Sequence, residues 1–301
     1  MTLTSSRTTS RILFAALALI IIREWSAGQG LPGLRPDELV RSAVANEIKS
    51  TNQAAKYMFR QRKETPSGSQ TKLMVETRDA MVGMVVANND HPLSLDERRG
   101  EYGRIQRFVD DPAELDRKRK REKDDSERVR SILKALPDAF LYEYDGTDTG
   151  KPAMGEPGEP LVRLKFHPNP KYEPPTRVEQ VLAGMQGIVL IDTHKQHIAR
   201  IDGTLFQDVA FGWGILGHLD RGGHFLVNQT EIGDNNWAIS RMELAFTGKL
   251  LLFKSLNIRS TEIYSDFHPV PPDLTFAQGV QLLRKQMDSG GENPPHNGSS
   301  K

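Results

Sequence analysis

Four histidines in the second half of the chain are the side chains best suited to metal chemistry. His194 and His197 are three residues apart near a predicted turn, and His218 and His224 flank another turn. Residues three apart on a strand face opposite sides, so His194 and His197 converge only if a turn bends the chain between them. No HExxH motif or similar metal-ligand spacing accompanies them. We therefore predict surface histidines at hairpin ends and no metal site.

Nucleophilic and phosphate chemistry have even less support. The sequence has no cysteine and no G-x-S-x-G motif, and Gly212-Trp213-Gly214 is followed by strand-like residues rather than a P-loop helix. Acidic residues are plentiful, but sequence alone cannot place two of them across a cleft. The prediction is a non-enzymatic protein without a cofactor. A secreted hydrolase that uses carboxylates or a histidine-bound metal remains the alternative from another class.

Aromatic residues beside glycines provide the more informative pattern. Glycines in a strand allow close backbone approach, bulges and strong curvature. Bulky side chains around them would line an apolar cavity in a curled sheet, and core packing is the alternative. The predicted ligand-binding residues are Phe211, Trp213, Ile215, Phe225, Trp237 and Phe253.

The start of the chain has the parts of a secretory signal. Arg7 and Arg11 precede an apolar run, Ile12 to Ile22, and small residues follow up to Gly28. A bilayer-spanning helix needs about 20 apolar residues, roughly twice the length of this run. We predict a signal peptide at 1–28 and a periplasmic or secreted protein. An uncleaved anchor or a buried helix is the alternative.

Charge composition disfavours nucleic acid as a partner. The chain has 40 basic and 39 acidic residues, for a formal net charge of +1, so it has no whole-protein field of one sign. The basic cluster 117–121 lies in a charged stretch, Glu114 to Arg130, in which acids and bases compensate each other. This stretch is predicted to be a solvated helix. A structural or partner-binding envelope protein, with this helix as its contact surface, is a third hypothesis.

The first half of the chain divides into a linker, a helix, a meander and a charged insertion. Residues 29–36 are rich in Pro and Gly, and Asp37 opens a helical pattern. Strand-like segments follow around Tyr57, from Lys72 to Thr77 and from Ala80 to Ala87. A helical insertion is predicted at 95–136 and a mobile loop from Tyr142 to Pro160.

The sequence of the second half predicts a series of strands. After a strand at 161–166 and a short helix at 177–185, seven strands are predicted at 186–192, 197–205, 209–219, 223–229, 237–247, 249–255 and 259–267. Hairpin turns are predicted at Asp234-Asn235-Asn236 and Thr247-Gly248-Lys249. A helix at 276–286 and a disordered tail at 289–301 complete the chain. The fold class is α+β, with a curved antiparallel sheet (an incomplete barrel) packed on helices in a single domain at 37–288.

The order of these elements resembles the LolA-like fold of periplasmic lipoprotein carriers. The local cues are the strand pair Gln186–Asp192 and His197–Gly203, and the segments 211–214, 251–254 and 264–267. The resemblance implies a curved, incomplete barrel that holds acyl chains in an apolar concavity. It therefore implies an apolar ligand or lipoprotein acyl chains as partners, with an envelope protein as a further possible partner. The charged insertion departs from a minimal carrier, so the fold transfers more safely than the transport activity.

Overall fold

A computed structural model describes residues 35–53, 55–211, 217–250 and 254–290 of the chain. The predicted signal at 1–28, most of the linker and the tail from 291 onwards lie outside these ranges. In the part of the chain that is described, no helix is both long enough and apolar enough to cross a bilayer.

Helices and strands alternate in groups along the chain. The helices are α1 (Pro36–Gln53), α2 (Leu95–Asp110), α3 (Pro112–Ala139), α4 (Arg177–Gln180), which continues as a 3-10 turn at Val181–Gly184, and α5 (Phe276–Gly290). The strands are β1 (Lys56–Thr65), β2 (Gly68–Val75), β3 (Val82–Asn88), β4 (His91–Pro92), β5 (Phe140–Thr149), β6 (Pro160–Pro168), β7 (Met185–Asp192), β8 (His197–Leu205), β9 (Val209–Phe211), β10 (Gly217–Leu219), β11 (His224–Glu231), β12 (Trp237–Leu250) and β13 (Lys254–Val270).

All the strands belong to one antiparallel sheet. Its order is β4-β3-β2-β1-β13-β12-β11-β8-β7-β6-β5, with β10 paired to β12 and β9 paired to β10. Strands β4 and β5 end this path, so the 13-stranded sheet does not close into a barrel. The predicted α+β class with an open antiparallel sheet is confirmed.

Two hydrophobic cores lie at opposite ends of the sheet, and α3 reaches both of them. One core joins α1 and the end of α3 to β5–β8, and its buried side chains include Val44, Leu136 and Val189. The other joins α2 and α5 to β2 and β3, and Leu115 near the start of α3 packs against it. At about 1.5 Å per residue, the 28 residues of α3 extend over about 42 Å. This helix therefore links the two ends of the sheet.

One face of the sheet runs without interruption from β3 to the first core. Directly paired residues on neighbouring strands project to the same face. Lys72 of β2 pairs with Gln61 of β1, which pairs with Tyr264 of β13. Glu262 is two residues before Tyr264 on β13 and therefore projects to the same face. From Glu262, directly paired residues continue across the next four strands in the order Met242, Val227, Ile201 and Val189. The side chains at both ends of the sheet thus share one surface.

The predicted mobile loop from Tyr142 to Pro160 is wrong over its first half. Strand β5 runs from Phe140 to Thr149 and pairs with β6, with a register shift between Tyr144 and Thr147. The turn-forming residues Asp145 and Gly146 lie at this bulge rather than in a loop. An extra residue in one strand bends it without ending it, which the sequence pattern does not reveal.

Two further strand boundaries also differ from the prediction. Residues 247–249 form no hairpin turn, because β12 continues to Leu250. A Cβ atom on Gly248 would lie 2.1 Å from the carbonyl oxygen of His218, so this glycine allows a close approach of two strands. The strand predicted at 209–219 is two strands, since β9 and β10 pair antiparallel to each other. The turn at Asp234-Asn235-Asn236 is confirmed by positive φ angles at Asp234 and Asn235.

Candidate functional site

A cavity with a volume of about 500 Å³ lies between β2, β3 and the helices α2, α3 and α5. A volume of this size falls within the range of small-molecule sites, about 300–1,000 Å³. Its apolar wall is formed by Met74, Val82, Val85, Ile105, Phe108 and Phe276. Its polar residues are Gln70, Lys72, Glu101, Arg104 and Lys118. The site therefore combines an apolar wall with charged groups from β2, α2 and α3.

Capping fixes the two helices that form the outer wall. Ser94 and Glu97 form a reciprocal capping box at the start of α2. Asp111 ends α2 and accepts hydrogen bonds from the backbone N–H groups of Ala113 and Glu114, and Pro112 takes the first position of α3. These signals set where the chain turns between α2 and α3, and so where their side chains meet β3.

Side chains of α2 and α3 replace a missing strand along the outer edge of β3. Glu101 accepts a hydrogen bond from the Val85 backbone N–H at 2.7 Å, and Arg104 donates to the Gly83 carbonyl at 2.7 Å. Glu122 accepts from the N–H of Met81, just before the strand, at 3.0 Å. An edge strand presents unpaired backbone groups that invite other chains to pair. Here helix side chains satisfy two of these groups, and a third backbone group just before the strand.

Glu101 is held as a carboxylate by the same arrangement. Its side chain is buried, and Arg104 contacts both of its oxygens at 2.7 Å. Burial raises the pKa of this carboxyl, but the hydrogen bonds from Arg104 and Val85 outweigh burial, and the pKa lies below its ordinary value. The charge of Arg104 is therefore largely compensated within the wall.

Lys72 differs from the other cations of the cavity. Lys118 pairs with Glu122 at 2.6 Å, and its ammonium lies 5.9 Å from the centre of the Phe108 ring. Lys72, which is half-buried, has no hydrogen-bond or salt-bridge partner among the described residues. Burial lowers its pKa, and the positive charge of Arg104 lowers it further.

A buried polar network adjoins the cavity on the same face. Glu262 of β13 is buried and accepts hydrogen bonds from Gln61 at 2.8 Å and Tyr264 at 2.6 Å, and it pairs with Lys63 at 2.9 Å. Burial and the bond to Glu262 raise the pKa of Tyr264. This network is internally satisfied, and its residues Gln61 and Tyr264 lie on the same sheet face as Lys72.

A second buried polar cluster lies where α1 meets β8. His197 is 2% exposed, and its Nδ1 atom is 3.0 Å from Oε1 of Glu47. The same oxygen accepts the backbone N–H of Ile198 at 3.0 Å. Trp237 stacks on the imidazole with ring centres 4.8 Å apart. The Glu47 carboxylate thus links α1 to β8. These contacts explain why His197 is buried.

The predicted binding residues are only partly within the described chain. Trp213, Ile215 and Phe253 lie outside it, and Phe211 is described only as a strand residue. Phe225 packs against the first core with its ring over Gly203, where a Cβ would lie 2.5 Å from it. Trp237 packs against a separate small cluster on Leu161, Leu190 and Ala199. Phe225 and Trp237 therefore do not meet, and neither lines the large cavity.

The predicted histidine pattern brings no metal ligands together. In the part of the chain that is described, no group of three or more His, Asp or Glu side chains could hold a metal ion. His194 lies 3.8 Å from Glu159, His218 lies 3.1 Å from Asp220, and His224 contacts Asp202 at 2.9 Å. Each histidine has its own acidic neighbour. His197 is buried, so the prediction that all four lie at the surface is wrong for this residue.

The sequence does not reveal the cavity, because its lining residues come from three separate segments: β2–β3, α2–α3 and the start of α5. In β2 the residues Gln70, Lys72 and Met74 alternate with the buried side chains of Thr71, Leu73 and Val75. That alternation signals a two-faced strand. It does not reveal that the charged helices α2 and α3 cover the second face.

Comparison with known proteins adds little. No protein-family profile matches this sequence, and no curated protein matches it. Among solved structures, the chain is similar to a DUF1329 family protein from Desulfovibrio piger, at 9% sequence identity and a TM-score of 0.27. The similarity covers 78% of this chain and 94% of that one. At this TM-score the likeness supports no conclusion about function.

Proposed function

We propose that this protein is a non-enzymatic binding protein that holds an apolar ligand, such as a lipid or an acyl chain, against the open sheet. The observation that carries the proposal is the cavity of about 500 Å³ between β2–β3 and the helices. Ligand sites combine apolar walls with placed polar groups, and this cavity has both kinds of wall. The proposed site is the wall around Met74 and Phe108. It differs from the set predicted from the sequence: Phe211, Trp213, Ile215, Phe225, Trp237 and Phe253.

The proposal includes export to the periplasm or secretion, which the basic and apolar pattern of 1–28 supports. Detection of the mature protein in the periplasmic fraction, with its N-terminus read by mass spectrometry, tests this part. A protein recovered only from the cytoplasm with residues 1–28 intact would contradict it.

Native mass spectrometry of protein purified from the periplasm tests the binding function. We expect a bound mass that organic extraction removes and that lipid analysis identifies as an acyl compound. A fluorescent fatty acid should then enter the emptied protein. Repeated recovery of empty protein, together with no uptake of the probe, would overturn the proposal.

A cavity-filling variant tests whether the ligand binds in this cavity. A Cβ on Gly83 would lie 2.9 Å from Sδ of Met74, a flexible atom that can shift, so Gly83→Val should fold and occupy ligand space. We expect at least a ten-fold loss of probe affinity. Ile263→Phe is the matched control, because it enlarges a side chain on the other face of the same sheet, where Ile263 is 37% exposed. Equal loss in both variants would argue against this location.

A further inference from the structure

The cations of the cavity are not equally compensated, and this difference points to the chemistry of the ligand. Three lining residues are basic (Lys72, Arg104 and Lys118) and one is acidic (Glu101). Arg104 is occupied by Glu101 and by the Gly83 carbonyl, and Lys118 is occupied by Glu122. Lys72 is the one with no hydrogen-bond or salt-bridge partner among the described residues.

The surroundings of Lys72 favour an incoming anion. Its neighbours on the cavity side are Gln70 and Met74 on its own strand and Val85, its cross-strand partner in β3. The charges that act on it are Arg104 and Lys63, which are positive, and Glu101 and Glu262, which are negative. Both acids already have basic partners, Arg104 and Lys63. A half-buried ammonium without a partner is costly, and a bound anion would remove that cost.

The apolar wall lies beside this charge. Met74 is two residues from Lys72 on the same strand face, and Phe108 and Ile105 line the cavity from α2. A ligand with one negative end and an apolar body would satisfy both parts of the wall. A neutral apolar ligand would leave the ammonium without a partner.

We propose that the ligand is an anionic amphiphile whose carboxylate or phosphate group pairs with Nζ of Lys72 while its chain lies against Met74 and Phe108. This inference rests on the proposed function and adds the charge of the ligand and the residue that recognises it. Carboxylate and phosphate share this chemistry, and separate probes distinguish them.

The test compares three 12-carbon probes, dodecanoate, dodecyl phosphate and dodecanol, as competitors of a neutral fluorescent naphthylamine dye. Wild-type protein should bind at least one anion about ten-fold more tightly than the alcohol, since a hydrogen bond to a charged group commonly contributes about that factor. Lys72→Met should lose this preference and keep its affinity for dodecanol, and Lys72→Arg should retain it. The relative affinity of the two anions in wild type identifies the headgroup.

Lys120→Met is the matched control, because Lys120 is an exposed lysine of α3 outside the cavity and its loss changes the net charge equally. Thermal melts establish that each variant is folded. Equal binding of alcohol and anions by wild type, or a preference that survives in Lys72→Met, overturns this inference and leaves the apolar-ligand proposal standing. Failure of all three probes to displace the dye, or failure of the dye itself to bind, overturns both.

Discussion

At the scale of single residues, the acids of this protein act mainly as acceptors for backbone and basic groups. Glu101 illustrates this, since one carboxylate satisfies the N–H of Val85 and both donors of Arg104. Glu47 does the same for His197 and Ile198. A buried donor that loses its acceptor costs more than the net value of the bond, so these positions should be sensitive to truncation.

Removal of the Glu101 carboxylate should destabilise the protein. Glu101→Ala leaves the Val85 N–H and Arg104 without an acceptor, and we expect a loss of about 2 kcal/mol in the free energy of unfolding, allowing for the partial exposure of Arg104. Urea denaturation measures the change. Glu127→Ala, which removes an exposed acid from α3, should alter stability by no more than about 0.5 kcal/mol. A similar change in the free energy of unfolding for both variants would contradict the structural role of Glu101.

The charge of Glu262 should make stability depend on pH. Burial raises the pKa of this carboxyl, but its bonds to Lys63, Tyr264 and Gln61 outweigh burial, and the folded-state pKa lies below the ordinary value. The charge therefore stabilises the fold above the unfolded-state pKa of about 4.3, and this contribution is lost as the pH falls through the folded-state pKa. Wild type should exceed Glu262→Gln in stability at pH 7, and the difference should disappear in acid. A difference that is constant from pH 7 to pH 3, measured by denaturation at each pH, would contradict this assignment.

At the scale of elements, α1 is attached to β8 by a side chain as well as by apolar packing. Glu47→Ala should leave the Ile198 N–H without an acceptor in a buried site and cost about 1–3 kcal/mol. Glu47→Gln keeps an acceptor and should cost less. Hydrogen exchange at Ile198, followed by mass spectrometry of peptides, should accelerate most in the alanine variant. Unchanged protection in that variant would show that the helix is held by packing alone.

Elements with a strong local pattern could be predicted from the sequence, whereas those that depend on partners could not. The turn at Asp234–Asn236 follows from local chemistry, and the structure confirms it. The cap at Asp111, with Pro112 in the first position of α3, is a feature of the same local kind. Strand β5 was missed because a bulge places turn-forming residues inside a paired strand. Gly248 was misassigned because a glycine that allows close strand approach looks the same in sequence as one that allows a turn. The cavity could not be predicted, because contact between β2 and the charged helices is set by tertiary structure.

At the scale of the whole molecule, α3 is a helix that contacts the cores at both ends of the sheet. Its first turns reach the core beside β3 and its last turns reach the core beside β7, while its middle is charged and exposed. If this helix stays rigid along its whole length, the loss of one core also removes the helix contacts of the other core, and the two cores unfold together. We therefore expect the charged middle of α3 to transmit unfolding between the two cores, although it buries little surface.

A break in the middle of α3 should separate the unfolding of the two cores. Asp125→Pro removes a backbone hydrogen bond and costs about 3 kcal/mol or more in a helix interior, at an exposed position that contacts neither core. We expect differential scanning calorimetry to show two transitions, or a calorimetric enthalpy that exceeds the van't Hoff enthalpy. Asp125→Ala should retain the behaviour of wild type. A single transition that is merely shifted to lower temperature would show that the sheet itself couples the cores.

The helix side chains that complete the edge of β3 also form the wall of the cavity, and this double use links ligand exchange to self-association. A movement of α2 that widened the entrance would withdraw Glu101 and Arg104, and the Val85 N–H and the Gly83 carbonyl would then face solvent. An uncovered strand edge pairs readily with the edge of another molecule. Two protein molecules could therefore pair through their β3 edges mainly while a ligand enters or leaves the cavity. A protein kept filled should stay dispersed at concentrations where the emptied protein forms oligomers.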